Sequence, residues 1–367
     1  IISRNLCKII FHRFSDSYLK CFLHTYFNFI KNIFIKFFIH LNYYSVFSYL
    51  LLSYKIHIEI IVKYITNSYN IAYRFHFSKN LIEFPNHNFI GCRLFNFNRL
   101  NLLGIDFEEW YHPELIQPYI KNQKTTPKII AGIDKILNLL RKNDTLATFF
   151  VVGELLEHTP ELLDKIIDNG HEIGFHTMYH TNLNHNGFKD DFDFEVKKFA
   201  ELTGKKSKGF RAPTFSMNSS SSWAIDILEK NNYLYDSSIV PAKTMLYGNP
   251  DAEQGPYNIT SKSLEKNDPN GKLKEFPLLT TKFLGKKIPA AGGFYLRTLP
   301  LTISINAIKN AEKHEYPACI YIHSWELTPE FMPRIKMSFK DDFVTYHNIE
   351  KSYSRIEKIL KSFKFTS

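Results

Sequence analysis

Cysteine is scarce in this chain of 367 residues: four in all, with Cys7, Cys21 and Cys92 in the first hundred positions and only Cys319 beyond them. No CxxC spacing occurs, and one cysteine cannot close a bridge within a domain. Residues 100–367 are therefore neither a disulfide scaffold nor a thiolate metal site. Cys319 lies in the apolar run 318–322 and reads as a small buried hydrophobe. Also missing are a P-loop, a GxGxxG after a strand and any internal repeat, so nucleotide chemistry is unsupported. Glycine and proline almost vanish from the first hundred residues, where Gly91 and Pro85 stand alone. Little there punctuates secondary-structure elements.

Acidic residues are equally thin in that stretch, three against twelve Lys and Arg, whereas residues 101–367 hold 33 against 34. The formal charge of +10 thus belongs to the first hundred residues and gives no reason to expect a nucleic-acid partner for the rest. The longest run free of Lys, Arg, Asp and Glu, residues 37–54, would barely reach across a hydrocarbon core of about 30 Å. His40, Asn42 and three serines weaken a spanning role, and no small-residue cleavage site follows. Residues 1–97 read as an extension, poorly structured or helical, open to three interpretations: a membrane anchor, an interfacial basic helix, or non-native sequence from an upstream start. We favour the third. Any membrane association would run through residues 1–97, and the protein is otherwise expected in the cytoplasm.

Residues 98–367 alternate strand and helix patterns, the mark of a wound or barrelled α/β domain. Strands are expected at 101–107, 146–152, 171–175, 209–211, 234–236 and 318–323. Helices are expected at 127–142, 160–168, about 190–202, 222–230, 300–313 and about 349–362. Residues 241–274 read as an irregular polar excursion. Polar clusters follow several strands, as at the C-terminal mouth of a barrel.

Asp106 and Glu108, two apart at a strand end, leave one face of the chain. His176 and His180, four apart, would share a face of a helical turn at a common metal-ligand spacing. Arg211, before Ala212-Pro213, would fix a catalytic carboxylate in its ionised state. His323 ends an apolar strand and suits a general acid, with Asp236, at another strand end, as the acid that orients it. Alone, each has a bland reading: a solvated acidic strand end, an incidental HxxxH among 15 histidines, a surface arginine, a satisfied core histidine. Their order and strand-end placement are specific together.

In these five segments, Asp106-x-Glu108, His176-x3-His180, Arg211-Ala212-Pro213, Tyr235-Asp236-Ser237-Ser238 and Ile322-His323-Ser324-Trp325-Glu326, the chain resembles the polysaccharide deacetylases of carbohydrate esterase family 4, the NodB homology domain. The stretch from Gly292-Gly293-Phe294-Tyr295 to the C-terminus resembles the subgroup with an extra tail linked to exopolysaccharide systems. The resemblance implies a distorted (β/α) barrel of about seven strands. It implies Asp106 as base, His323 as acid, Arg211 tethering Asp106 and Asp236 supporting His323. It also implies a divalent metal, Zn²⁺ by expectation, on Glu108, His176 and His180. The substrate implied is an N-acetylated saccharide, with Trp110, Pro213, Phe294, Tyr295 and Trp325 as candidate sugar contacts. Most members carry adjacent aspartates where this chain has Asp-x-Glu, and Ser324 replaces a more usual proline, a change expected to alter only loop stiffness. Two rivals stay open: a cyclic-amide hydrolase of the allantoinase kind, and a glycan-binding relative without turnover.

Overall fold

The computed structural model describes residues 100–121, 125, 127–290 and 292–367. The expected extension, residues 1–97 with its 37–54 run, lies outside these. Among the described residues no helix is long and apolar enough to cross a membrane, and Cys92–Ser367 forms one compact unit.

The chain opens on β1 (Asn101–Phe107), whose alternating faces are both buried, as expected for a central parallel strand. A short helix, α1 (Gln117–Ile120), precedes α2 (Ile129–Lys142), which turns Ile129, Ile133, Ile136, Leu137 and Leu140 inward at helical spacing. α2 begins two residues after Pro127 because Glu109 caps it: its Oε1 accepts from the backbone N–H of Lys128 and, at 2.6 Å, of Ile129. A carboxylate there satisfies orphan donors and meets the positive end of the helix dipole. Next come β2 (Thr148–Val151), α3 (Gly153–His158), α4 (Glu161–Asp168), β3 (Glu172–Phe175), α5 (Phe188–Leu202), β4 (Gly209–Phe210), α6 (Trp223–Lys230) and β5 (Tyr235–Asp236). The α3 helix has no counterpart in the sequence reading, since six residues are too few to establish a period.

Residues 241–274 were expected to be irregular and are not wholly so. They hold β6 (Tyr257–Ile259) and the first two residues of β7 (Leu273–Glu275), paired antiparallel. Strands of three residues carry too little alternation to be read before pairing. A separate hairpin follows, β8 (Thr280–Phe283) with β9 (Lys286–Pro289), then α7 (Gly293–Thr298), α8 (Leu301–Lys313), β10 (Cys319–His323), α9 (Ser324–Leu327), α10 (Phe339–Tyr346), α11 (Ser352–Ser362) and β11 (Phe365–Thr366).

The main sheet runs β10-β1-β2-β3-β4-β5-β7-β6, with β11 beside β1, and every pairing except β6–β7 is parallel. Seven parallel strands therefore follow one another from β10 to β7. Just past β7, Leu278 bridges Cys319 of β10, and the Leu279 N–H donates to the Cys319 carbonyl at 2.9 Å. The sheet thus curls back on its first edge, a distorted barrel. Its wall buries Ile105, Phe149, Phe175 and Phe210 with the facing helices, and a smaller cluster of Trp110, Tyr111, Ile116, Ile120, Trp325 and Ile349 packs separately.

Candidate active site

Parallel strands in one curled sheet present their C-terminal ends at one mouth. Asp106 is the penultimate residue of β1, His176 follows β3, Arg211 follows β4 and His323 ends β10. Register sets Asp106 directly beside His323 on one neighbour and Phe150 on the other.

Arg211 crosses the barrel interior. Its Nη1 donates to Asp106 Oδ1 at 2.7 Å, Nε to the Ser237 carbonyl at 2.9 Å and Nη2 to Ser237 Oγ at 2.8 Å. The guanidinium lies over the Phe150 ring, 4.1 Å from its centre. Room for it comes from Gly104: a Cβ there would sit 2.4 Å from Nη1. A buried charge is tolerated only when paired and hydrogen-bonded, and this one is both.

Glu108, His176 and His180 bring one ligand atom each within 4.8 Å of one another, all buried. The His176 Nδ1–H donates to the Arg211 carbonyl at 2.6 Å, which leaves Nε2 with a free lone pair. Burial pushes the His176 imidazole down to about 4, so it is neutral near pH 7. Burial alone would raise Glu108, but the His180, His323 and His176 rings outweigh it and hold the carboxyl well below its ordinary range. Glu108 Oε1 accepts from Trp325 Nε1 at 2.9 Å. Its Oε2, also buried, lies 2.6 Å from His180 Nε2 in an ion-pair contact. A buried carboxylate oxygen gathered with two imidazole nitrogens is the donor set a divalent cation takes, so these residues fit a metal ion.

The histidine pair is not helical as the spacing suggested. Thr177 and His180 adopt left-handed backbone angles, φ 57° and 56°. This loop is held by α3, whose Gly153 and Glu154 N–H groups donate to the Thr177 and Met178 carbonyls at 3.0 and 2.8 Å. The rings still meet, with centres 5.0 Å apart.

His323 Nε2 lies 4.0 Å from Asp106 Oδ2 and 3.8 Å from Glu108 Oε1. Its Nδ1–H donates to Glu326 Oε2 at 2.8 Å. Burial opposes a charge on this ring, but Glu326 outweighs it and, with Glu108 and Asp106, raises His323 to about 9. The acid bonded to His323 Nδ1 is therefore Glu326, not Asp236. The Asp236 carboxylate accepts instead from Ser238 Oγ at 2.6 Å and lies beside Glu275 across the β5–β7 register. Burial and the Asp236 charge push Glu275 well above the carboxylate range.

The sugar-contact candidates divide. Trp110 and Trp325 are buried in the smaller apolar cluster, and Trp325 serves Glu108 rather than solvent. Pro213 is buried too, whereas Phe294 and Tyr295 are half-exposed. Ser324 does more than change loop stiffness: its hydroxyl accepts from the Glu108 N–H at 3.0 Å and donates to the Glu108 carbonyl at 2.6 Å, pinning the loop after β1 to the start of α9. The sequence reading missed Glu326, Arg297 and His112. Glu326 had a local signal, the acid three residues after a cap position. His112 stacks on His180 at 5.8 Å and bonds Glu154 at 2.6 Å, with no spacing to reveal it.

Residues 130–233 match the family described as polysaccharide deacetylase, and residues 237–367 match a domain of unknown function, DUF3473. Over 112 residues the chain is 31% identical to the peptidoglycan deacetylase of Helicobacter pylori, covering 30% of this chain and 37% of that one. Over 82 residues it is 37% identical to a peptidoglycan-N-acetylglucosamine deacetylase of Bacillus cereus, 22% and 38% of the two chains. The chain spans about a third of the length of the first curated relatives it matches. Among solved structures, Puue allantoinase aligns over 78% of this chain and 95% of its own at 15% identity, TM-score 0.44.

Proposed function

We propose that this chain, which belongs to the polysaccharide deacetylase family through residues 130–233 and continues into the DUF3473 domain, hydrolyses the N-acetyl amide of an N-acetylated glycan. The observation that carries the reading is the meeting of Asp106, Glu108, His176, His180, Arg211 and His323 at one barrel mouth.

Glu108, His176 and His180 would hold a divalent cation, Zn²⁺ by their donor chemistry. Such an ion, when bound, polarises a carbonyl and lowers the pKa of bound water towards about 7. Asp106, kept in place by Arg211, takes the proton of the attacking water. His323, protonated at neutral pH, gives its proton to the departing nitrogen as the C–N bond breaks, leaving acetate and a free amine. Phe294 and Tyr295, half-exposed, are the remaining aromatic candidates for a sugar face. The curated relatives named as peptidoglycan deacetylases support a cell-wall type of glycan as the first substrate to try.

The test is acetate release from N-acetylglucosamine oligomers and from peptidoglycan, run beside allantoin, with elemental analysis of the purified chain. Acetate release that stops on chelation and returns with Zn²⁺ is expected. Ring opening of allantoin without acetate release would move the activity to cyclic amides. Neither bound metal nor hydrolysis of any of these amides would leave a binding protein.

A further inference from the structure

Glu326, which bonds His323, is itself held in a buried ion pair with Arg297: Arg297 of α7 and Glu326 of α9 lie 2.6 Å apart and essentially inaccessible to water. Glu326 Oε2 accepts both from the His323 backbone N–H at 3.1 Å and from His323 Nδ1–H at 2.8 Å. One oxygen thus fixes the residue's main chain and its ring. The other oxygen, Oε1, is taken by Arg297 Nε. The rest of the Arg297 fork ends on the C-terminal turn of α10. Nη1 donates to the His347 and Thr345 carbonyls at 2.7 and 3.2 Å, and Nη2 to the Val344 carbonyl at 2.9 Å. Helix-end carbonyls lack intrahelical donors, and a planar five-donor group suits them.

The ring is boxed by Trp325 stacked at 5.0 Å and by the edge contact of Tyr321 at 5.4 Å. With Nδ1 committed and both ring neighbours in place, Nε2 faces Asp106 and Glu108. We propose that Glu326, clamped by Arg297 to the end of α10, is the positioning residue that aims His323 at the reacting nitrogen, so that the domain of unknown function completes the active site. The proposal rests on the deacetylase reading above for its catalytic half. Its geometric half stands apart. Arg297, His323, Glu326 and α10 all lie within residues 237–367, whereas Asp106 and Glu108 precede residue 130.

The test compares the full-length chain with its Glu326→Gln and Arg297→Lys variants. It measures kcat and KM for acetate release from N-acetylglucosamine oligomers and, at fixed pH, the Nδ1–H resonance of His323 in histidine-labelled protein. We expect Glu326→Gln to lower kcat roughly 10- to 100-fold with KM nearly unchanged, the cost of a misaimed group. The deshielded Nδ1–H signal is expected to be lost or shifted upfield. Arg297→Lys, which keeps a charge but not the fork, should lower kcat about tenfold. A Glu326→Gln protein with unchanged kcat, or with the wild-type resonance intact, overturns the proposal. If Glu326→Gln does not fold, unchanged kcat in a folded Arg297→Lys protein overturns it equally. Should the wild type release no acetate, the hydrolytic reading fails and the catalytic half with it. The resonance then still decides whether Glu326 holds the ring.

Discussion

At the scale of single residues, the site is an arrangement of charges that burial would forbid one by one. Asp106 and Arg211 are both hidden from water, and each is tolerable because the other is present. Asp106→Asn keeps an acceptor for Arg211 but cannot take a proton, and His323→Ala removes the donor. Each should lower kcat about 10²–10⁴-fold while leaving the circular dichroism spectrum unchanged. A variant of either kind with full activity would remove these roles. The titration of the two histidines predicts a bell-shaped rate profile. His176, pushed down to about 4 by burial, is the neutral form a metal ligand needs only above that pH. His323, raised to about 9 against its burial by Glu326, loses its transferable proton above that pH. Activity should therefore fall on the acid side towards pH 4 and on the alkaline side beyond pH 9, read from kcat against pH. A rate that keeps rising through pH 10 would contradict His323 as the acid.

Among the elements, β1 has the most demanding task. It must carry Asp106 to the mouth while leaving room for a guanidinium from β4's end, and Gly104 meets that demand by having no side chain. Gly104→Ala would force Cβ against Arg211, an overpacking of about 1–3 kcal/mol. A lower thermal midpoint and a reduced kcat are expected together, since Arg211 cannot move without releasing Asp106. Unchanged stability would mean that Arg211 has another place to go. The loop after β3 shows a different demand. Its backbone adopts left-handed angles at Thr177 and His180, and α3 supplies N–H donors to the Thr177 and Met178 carbonyls between them.

For the molecule as a whole, the residues proposed to act are spread over three stretches that only the curled sheet brings together. Asp106 and Glu108 come from the first strand, the histidine pair and Arg211 from the deacetylase-matching stretch, and His323 with Glu326 from the C-terminal domain. β11, at the very end of the described chain, pairs with β1 near the start of the described residues, so the first and last strands of the domain are joined. A chain beginning at Asn98 should then unfold cooperatively at the same midpoint and keep the same kcat. Loss of folding would show that residues before it are needed.

How much was legible in the sequence depends on range. Apolar runs such as 318–322 and the helical period of 129–142 announced their elements, because burial on both faces of a strand, or one face of a helix, is a local pattern. Asp106, His176, Arg211 and His323 were legible because each stands at or just past the end of such a strand. The short strands at 257–259 and 273–275 were not, since three residues make a strand only when a neighbour supplies the hydrogen bonds. Nor was the partner of His323: Asp236 was expected, and Glu326 is the acid bonded to the ring. The direction in which each buried side chain points chose Glu326, and Arg297, 29 residues away in the chain, keeps it there. Periodicity and polar strand ends thus followed from the residues alone. Which charges face one another was decided only when a parallel sheet curled and stripped them of water.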